Sequence, residues 1–331
     1  MKLTVMSLLL MFLWTVGSAV STAAEETGSP RLRSGTAGRI KIIFDTDLAG
    51  DIDDAFAHAL VQVNPEFEVL GITISDGPTD RRAKVSCRML YECGQEQIPV
   101  AVGRPTRPGE SINPQLTWGD GFDKLKPVQE PAADFIIRTL RKYPHEVTII
   151  SVGPVTNLGD VIDKDPEAWK LVREVYSMFG SFYMGYDGGP VPDAEWNVRA
   201  DVESAKKFMM SGVPITLAGL DVTTIIKFNG DRRLRLLLRN SPLTDAICGL
   251  YSLWSSNSPG HDPTLFDPVA VAMAMNTRFV TTQSAHIRVT DEGYTVVDES
   301  KPPNCRIGMH IDTESFLEWL TQRLLKQNLM R

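Results

Sequence analysis

Little in this chain points to a covalent scaffold or to a polyanionic partner. Four cysteines in 331 residues are too few for a disulfide framework. None has zinc-site spacing: Cys87 and Cys93 are six apart on one expected helix, hence on different faces, and Cys248 and Cys305 stand alone. They read as small buried apolar side chains; a Cys248–Cys305 bridge is left open by the sequence. Basic excess is also missing. Lysine and arginine number 34 against 41 acidic residues, a net charge of −7. That gives no footprint for nucleic acid or an anionic membrane surface. There is no internal repeat, no linker after residue 40, and no second apolar run of spanning length. The composition, 43% hydrophobic and 23% charged, excludes disordered and fibrous classes.

What is present begins with the N-terminus. Lys2 precedes an apolar run, Ser7–Val20, followed by small residues. Residues 1–24 read as a secretory signal peptide cleaved near Ala23 or Ala24. The run is short for a span of ~20 residues, and no cysteine at the boundary suggests a lipid anchor. Residues 25–39 are polar and Gly/Ser-rich, a flexible lead-in. Residues 40–331 are then one domain. The mature chain is expected to be free of the membrane and secreted or periplasmic, in an oxidising compartment.

Short apolar runs alternate with helical patterns. Lys41–Phe44, Val69–Ile74, Ile98–Val102, Val147–Val152, Val175–Phe179 and Pro214–Leu220 read as strands. Asp53–Val63, Arg81–Cys93, Pro131–Tyr143, Pro154–Ile162 and Val202–Met210 read as helices. Residues 230–280 read as mostly helical, with a small β stretch (His286–Thr290, Tyr294–Val297) and a terminal helix, Thr313–Leu325. Such alternation implies an α/β fold: a mostly parallel, Rossmann-like open sheet flanked by helices. In such sheets a site lies outside the carboxyl ends of the strands.

At the end of the first strand stands Asp45-Thr46-Asp47-Leu48-Ala49-Gly50-Asp51-Ile52-Asp53-Asp54-Ala55. Five carboxylates in ten residues repel one another unless a cation or protons intervene. A hard divalent cation with oxygen ligands answers that need. An EF-hand, counted from Asp45, fails: its fifth position is Ala49 and its twelfth Phe56. Helix-opening acids account for Asp53 and Asp54 alone.

This segment resembles the DTDPGxDDA motif of the inosine–uridine nucleoside hydrolase family, in a longer variant with an added Asp51. Ser151-Val152-Gly153-Pro154-Val155-Thr156-Asn157 is similar to the family's GPLTN turn. Ala194-Glu195-Trp196-Asn197 with Asp201 resembles its AEFN…D segment, and Leu265-Phe266-Asp267-Pro268-Val269-Ala270 its HDP segment. The four occur in order, from about residue 40 to the C-terminus.

The resemblance implies one Ca²⁺ held by Asp47, Asp54, Asp267 and the Val152 carbonyl, a set that suits calcium. It implies Asp47 and Asn197 as catalytic residues, Asp47 being the general base toward water that attacks C1′ of a ribosyl group with oxocarbenium character. Asn197, Asp54 and Asp267 would bind the 2′- and 3′-hydroxyls, Glu195 would face the 5′ side, and Trp196 would contact substrate. Asp45 and Asp53 are expected to orient the turn. The partner is thus a small riboside; whether copies form a homo-oligomer is left open.

Three departures concern the base. Phe266 stands where the family often has a histidine able to protonate the leaving group. Gly189 occupies the place of an asparagine, and Ser75–Asp80 lacks the usual asparagine of its loop. Trp118, Phe182, Tyr183, Trp196, Tyr186 and His261 are the candidates for the base side, although core packing is the commoner role for each aromatic; His261 is also a candidate substitute acid. Two other functions remain: a binding protein of this fold without turnover, and a haloacid-dehalogenase-like phosphatase, which also opens with a strand and DxD. The late Asp267, at a helix start, suits the hydrolase better.

Overall fold

The run Ile40–Thr46 has the apolar, β-branched makeup of a strand buried on both faces. It forms β1, whose last five residues are all buried. β1 sits inside the sheet, parallel to β2 (Phe67–Ile74) on one side and β4 (Val147–Ser151) on the other. Beyond them lie β3 (Val100–Val102), β5 (Glu174–Met178) and β6 (Ile215–Ala218). The computed structural model describes residues 38–107, 113–257, 259–275 and 278–330. The expected signal peptide, and the expected lead-in up to residue 37, lie outside the described residues. Arg39–Arg331 is one compact unit.

Two further strands, β7 (Val280–Ala285) and β10 (Cys305–Ile311), complete an eight-stranded sheet of order β3-β2-β1-β4-β5-β6-β10-β7. All neighbours are parallel except β7 against β10. The sequence pattern did not anticipate this pair. β7 is a polar edge strand, and Gly308 and His310 break the apolar run of β10 where its register shifts. A separate hairpin-like pair, β8 (Ile287–Val289) and β9 (Thr295–Val297), is antiparallel.

Helices cover both faces. In chain order they are α1 (Asp53–Val63), α2 (Thr79–Glu92), α3 (Ala132–Lys142), α4 (Thr156–Lys164), α5 (Pro166–Trp169), α6 (Trp196–Arg199) and α7 (Val202–Met209). Then come α8 (Leu220–Thr223), α9 (Gly230–Arg239), α10 (Pro242–Ser255), α11 (Asp267–Ala274) and α12 (Thr313–Lys326). One apolar core packs α1, α2, α10, α11 and α12 on one face of the sheet, and a second packs α3, α4 and α7 on the other. α1 buries ten of its eleven residues and α11 all eight, so both are interior helices. Among the described residues no helix is long and apolar enough to cross a membrane. All four cysteines are free, so Cys248 and Cys305 are not bridged.

The chain runs from β1 outward through β2 and β3, then returns to place β4 against the other side of β1. The strand order therefore reverses between β1 and β4. A crevice opens outside the carboxyl ends at such a reversal, and both the acidic turn and the Gly153 turn emerge there.

Candidate active site

Asp45, next to last in β1, has its side chain buried inside the sheet. Thr73 Oγ1 donates to it at 2.6 Å, Asn157 Nδ2 at 2.7 Å and Ser151 Oγ at 3.1 Å. Burial pushes its pKa up to about 6 despite these donors. It pins the strand ends, as expected, rather than facing the cavity.

The turn that follows bends back through Ala49, whose φ is 71°, and delivers Asp53 and Asp54 to the N-terminus of α1. Asp267 opens α11. Asp53, Asp54 and Asp267 each offer a carboxylate oxygen, and these oxygens lie within 4.8 Å of one another. All three residues are buried. Burial, followed by repulsion from neighbouring carboxylates that include Asp47 and Asp51, raises their pKa values well above the usual carboxylate range. The ion pairs of Arg82 go to Asp47 at 3.7 Å and Asp76 at 3.8 Å, not to this triad. Three buried hard oxygen donors at one point, with no cationic side chain in a salt bridge to them among the described residues, fit a hard divalent cation. Asp53, expected only to orient the turn, belongs to the triad; the signal missed was its position one residue from Asp54 on a wholly buried helix start.

Asp47 stands beside the triad. Burial lifts its pKa to about 7, with Arg82 pulling it back. The turn is tight around it: a Cβ on Gly153 would lie 2.7 Å from Asp47 Oδ1 and 2.8 Å from Ser75 Oγ. Ser75 Oγ is buried without a partner. Arg82, not singled out by the sequence, donates to the carbonyls of Asp47 and Leu48.

Asn197 and Glu195 come from α6 and its cap. Glu195 accepts from the backbone N–H groups of Asn197 at 2.9 Å, Gly180 at 3.0 Å and Val198 at 3.3 Å. Asn197 Nδ2 donates to the carbonyls of Val152 at 2.9 Å and Met178 at 3.0 Å. Its amide donors are thereby used, which leaves the amide oxygen as the group able to accept from a ligand hydroxyl.

These residues line one cavity of about 1040 Å³. Asp47, Asp53, Asp54, Asp267, Val152, Asn197 and Glu195 are all in its wall, as are Trp196, Tyr186 and Phe266. Trp118, Phe182, Tyr183 and His261 are not among its described lining residues. Trp118 stacks on Arg88 at 4.3 Å, Phe182 is buried in the second core, and Tyr183 and His261 are exposed. Trp254, whose side chain hydrogen-bonds Asp51, and Arg107 line the cavity unanticipated.

An open, mostly parallel sheet with a carboxylate-lined crevice at its strand reversal is the architecture of an α/β enzyme whose acidic triad could hold a metal ion. A model of the inosine-uridine preferring nucleoside hydrolase family matches residues 42–318, and the chain belongs to that family of N-glycosyl hydrolases. It is 30% identical over 283 residues to a probable uridine nucleosidase 1 of Oryza sativa subsp. japonica, covering 79% of this chain and 86% of the relative. It is 28% identical over 310 residues to the pyrimidine-specific ribonucleoside hydrolase RihA of Citrobacter koseri, covering 86% and 98%. Among solved structures, a plant nucleoside hydrolase, PpNRh1, superposes with a TM-score of 0.77 at 24% identity, covering 87% and 99%. A purine-preferring ribonucleoside hydrolase from Gardnerella vaginalis gives 0.74 at 24%, covering 86% and 98%. The phosphatase alternative is thereby set aside.

Proposed function

We propose that the protein hydrolyses the N-ribosidic bond of nucleosides with Ca²⁺ as its ion, and that Asp47 is the base. The observation that carries this reading is the buried Asp53–Asp54–Asp267 triad opening into the same cavity as Asp47, Asn197 and the Val152 carbonyl. Asp54, Asp267, Asp47 and Val152 O, joined by Asp53, are the residues that would hold the ion. A bound cation supplies charge to offset the carboxylates and lowers the pKa of water at the site. Asp47 accepts the proton of the attacking water. The Asn197 amide oxygen and the floor carboxylates accept from the ribose 2′- and 3′-hydroxyls. Glu195, fixed by three backbone donors, faces the 5′ side.

The names of the rice and Citrobacter relatives support uridine as the first substrate to try. The N-terminal apolar run supports a secreted or periplasmic location. The test is a panel of nucleosides assayed with Ca²⁺ and with EDTA, read as release of free base. Activity unchanged by EDTA after exhaustive chelation would remove the ion from the reading; no release from any nucleoside would leave a binding protein.

A further inference from the structure

Arg107 is held at the cavity wall more firmly than a surface arginine needs to be. Its Nε donates to Asp76 Oδ1 at 2.9 Å, a second guanidinium nitrogen donates to Oδ2, and Thr106 Oγ1 donates to the same carboxylate at 2.7 Å. Its Cζ lies 4.6 Å from the ring centroid of Trp196. Asp76 (φ 61°) and Arg107 (φ 48°) both adopt the left-handed conformation. Side-chain-bearing residues keep that conformation where the surroundings over-determine it, a pattern that clusters at functional sites. Gly77 (φ 61°) follows Asp76 in the wall, and a Cβ there would meet Arg82 Nη2 at 3.3 Å and Arg107 Nη2 at 3.7 Å, so the glycine leaves room for both guanidinium groups.

We infer that Arg107 is the electrostatic partner of the departing base, its guanidinium plane backed by Trp196 and stabilising the negative charge the base gains as the glycosidic bond breaks. The inference rests on the hydrolase reading above. The floor carboxylates are nearly inaccessible, Asp54 and Asp267 at 3%, whereas Trp196 is 38% exposed. A riboside whose hydroxyls sit on the floor therefore points its base to the mouth, where Arg107 and Trp196 stand. No histidine or lysine is among the described lining residues. The hydroxyl of Tyr186 is committed: it accepts from Trp196 N at 2.9 Å and hydrogen-bonds Glu195, and burial raises its pKa above the ordinary phenol value. With no such group to hand over a proton, charge compensation takes its place. A guanidinium stacks well on planar rings, and fixed charge aimed at developing charge is an effective catalytic device.

The step balances. The water oxygen bonds to C1′ and its proton passes to Asp47. The C1′–N bond breaks, and its electron pair leaves with the base. The base departs as an anion facing Arg107 and takes a proton from solvent. The substrate class follows: nucleosides of bases with an acidic ring N–H, uracil and xanthine ahead of cytosine.

The test compares kcat/KM of the wild type, Arg107→Lys and Arg107→Met on uridine, 5-fluorouridine, cytidine and p-nitrophenyl riboside with Ca²⁺ present. Arg107→Met should lose roughly 10–100-fold more on uridine than on the p-nitrophenyl riboside, a difference smaller than the ~10²–10³ of one removed charge-stabilising donor because nitrophenolate also leaves as an anion. Arg107→Lys should recover part of it. Equal losses on both substrates mark a purely structural arginine and overturn the inference. The wild type gives an independent arm that needs no variant: 5-fluorouridine, with its more acidic base, should outrun uridine, and uridine should outrun cytidine. Equal rates across the three mean that a proton donor exists, and overturn it likewise. A wild type inert on every substrate, the activated riboside included, overturns the hydrolase reading and this inference with it.

Discussion

The backbone N–H of Asp267 donates to Asp53 Oδ2 at 3.3 Å across 214 residues of chain. The first turn of α11 is thus tied to the first turn of α1; α1 brings two carboxylates to the triad and α11 brings one. Two helix N-termini, each worth about half a positive charge, offset part of the repulsion among Asp53, Asp54 and Asp267. The remainder is what a cation or protons must neutralise.

Calcium should therefore stabilise the fold, and more at pH 7.5 than at pH 5.5. The carboxyls of the triad are raised above their ordinary value of 3.8 by burial first and by their neighbours second. A raised acid stabilises the fold while it is protonated, and that contribution fades as pH climbs from the unfolded value through the folded one. The ion replaces protons where they leave. A ligand at a hundred times its Kd adds about 2.7 kcal/mol. Calorimetric melting with Ca²⁺ and with EDTA at both pH values measures this; a calcium effect that is absent, or the same at both, would speak against the triad as the ion site.

Asp47→Ala should lower kcat by at least ~10²-fold, the lower range for one general base. Retention of more than about a tenth of activity would be incompatible with the proposed role. Glu195→Ala should raise KM and also melt earlier. Its carboxylate caps α6 through the N–H groups of Asn197 and Val198 and also holds Gly180 N, and losing a cap costs ~0.5–2 kcal/mol.

Gly153→Ala should inactivate without unfolding. The added Cβ would meet Asp47 Oδ1 at 2.7 Å and Asp47 N at 2.9 Å, so the turn itself must shift. Misplacing a reacting group by about 1 Å can cost ~10²-fold. Turnover and Ca²⁺ affinity by titration calorimetry should both fall while the circular dichroism spectrum is kept. Wild-type affinity and rate in this variant would mean that the turn has slack.

His58 makes the fold acid-sensitive. It lies inside α1 with Nε2 at 2.9 Å from Ser86 Oγ and Nδ1 at 2.9 Å from Gln62 Nε2. Burial lowers its pKa from 6.5 to about 3. The unfolded chain takes up the proton near pH 6.5 and the folded chain resists until about 3. Stability therefore drops as pH falls through that window, by at most ~1.4 kcal/mol per pH unit from this group. Urea unfolding at pH 6.5 and 4.5 should show a smaller loss for His58→Gln than for the wild type; parallel losses would assign the sensitivity elsewhere.

The strands up to β6 and the longer helices between them were readable, because buried parallel strands are continuous apolar runs between turn signals, as in β1 and β4; the four-residue helices α5 and α6 are too short to show a period. β7 and β10 were not, since one is a polar edge and the other is interrupted by Gly308. At the site, Asp47, Asp54, Asp267, Asn197 and Glu195 were legible because each sits in a short motif at a strand or helix end. Arg82 and Arg107 were not. They lie on a helix face and in a loop, 35 residues or more from Asp47, and only the folding of β2 and β3 beside β1 brings them to the wall. Phe182 and Trp118 took the core packing that is the commoner place for such an aromatic, and of that set only Trp196 and Tyr186 are among the described residues lining the cavity.

Trp196 and Trp254 line the cavity, while Trp118, Trp169 and Trp319 are packed in the two cores. Occupation of the mouth thus reaches two of the chain's own fluorophores, one of them flanked by the guanidinium of Arg107 and, at 5.3 Å, that of Arg199. Indole emission responds to displaced water and to nearby charge. The protein carries an intrinsic optical gauge of ligand arrival, one that rapid-mixing spectroscopy can follow before any bond is broken.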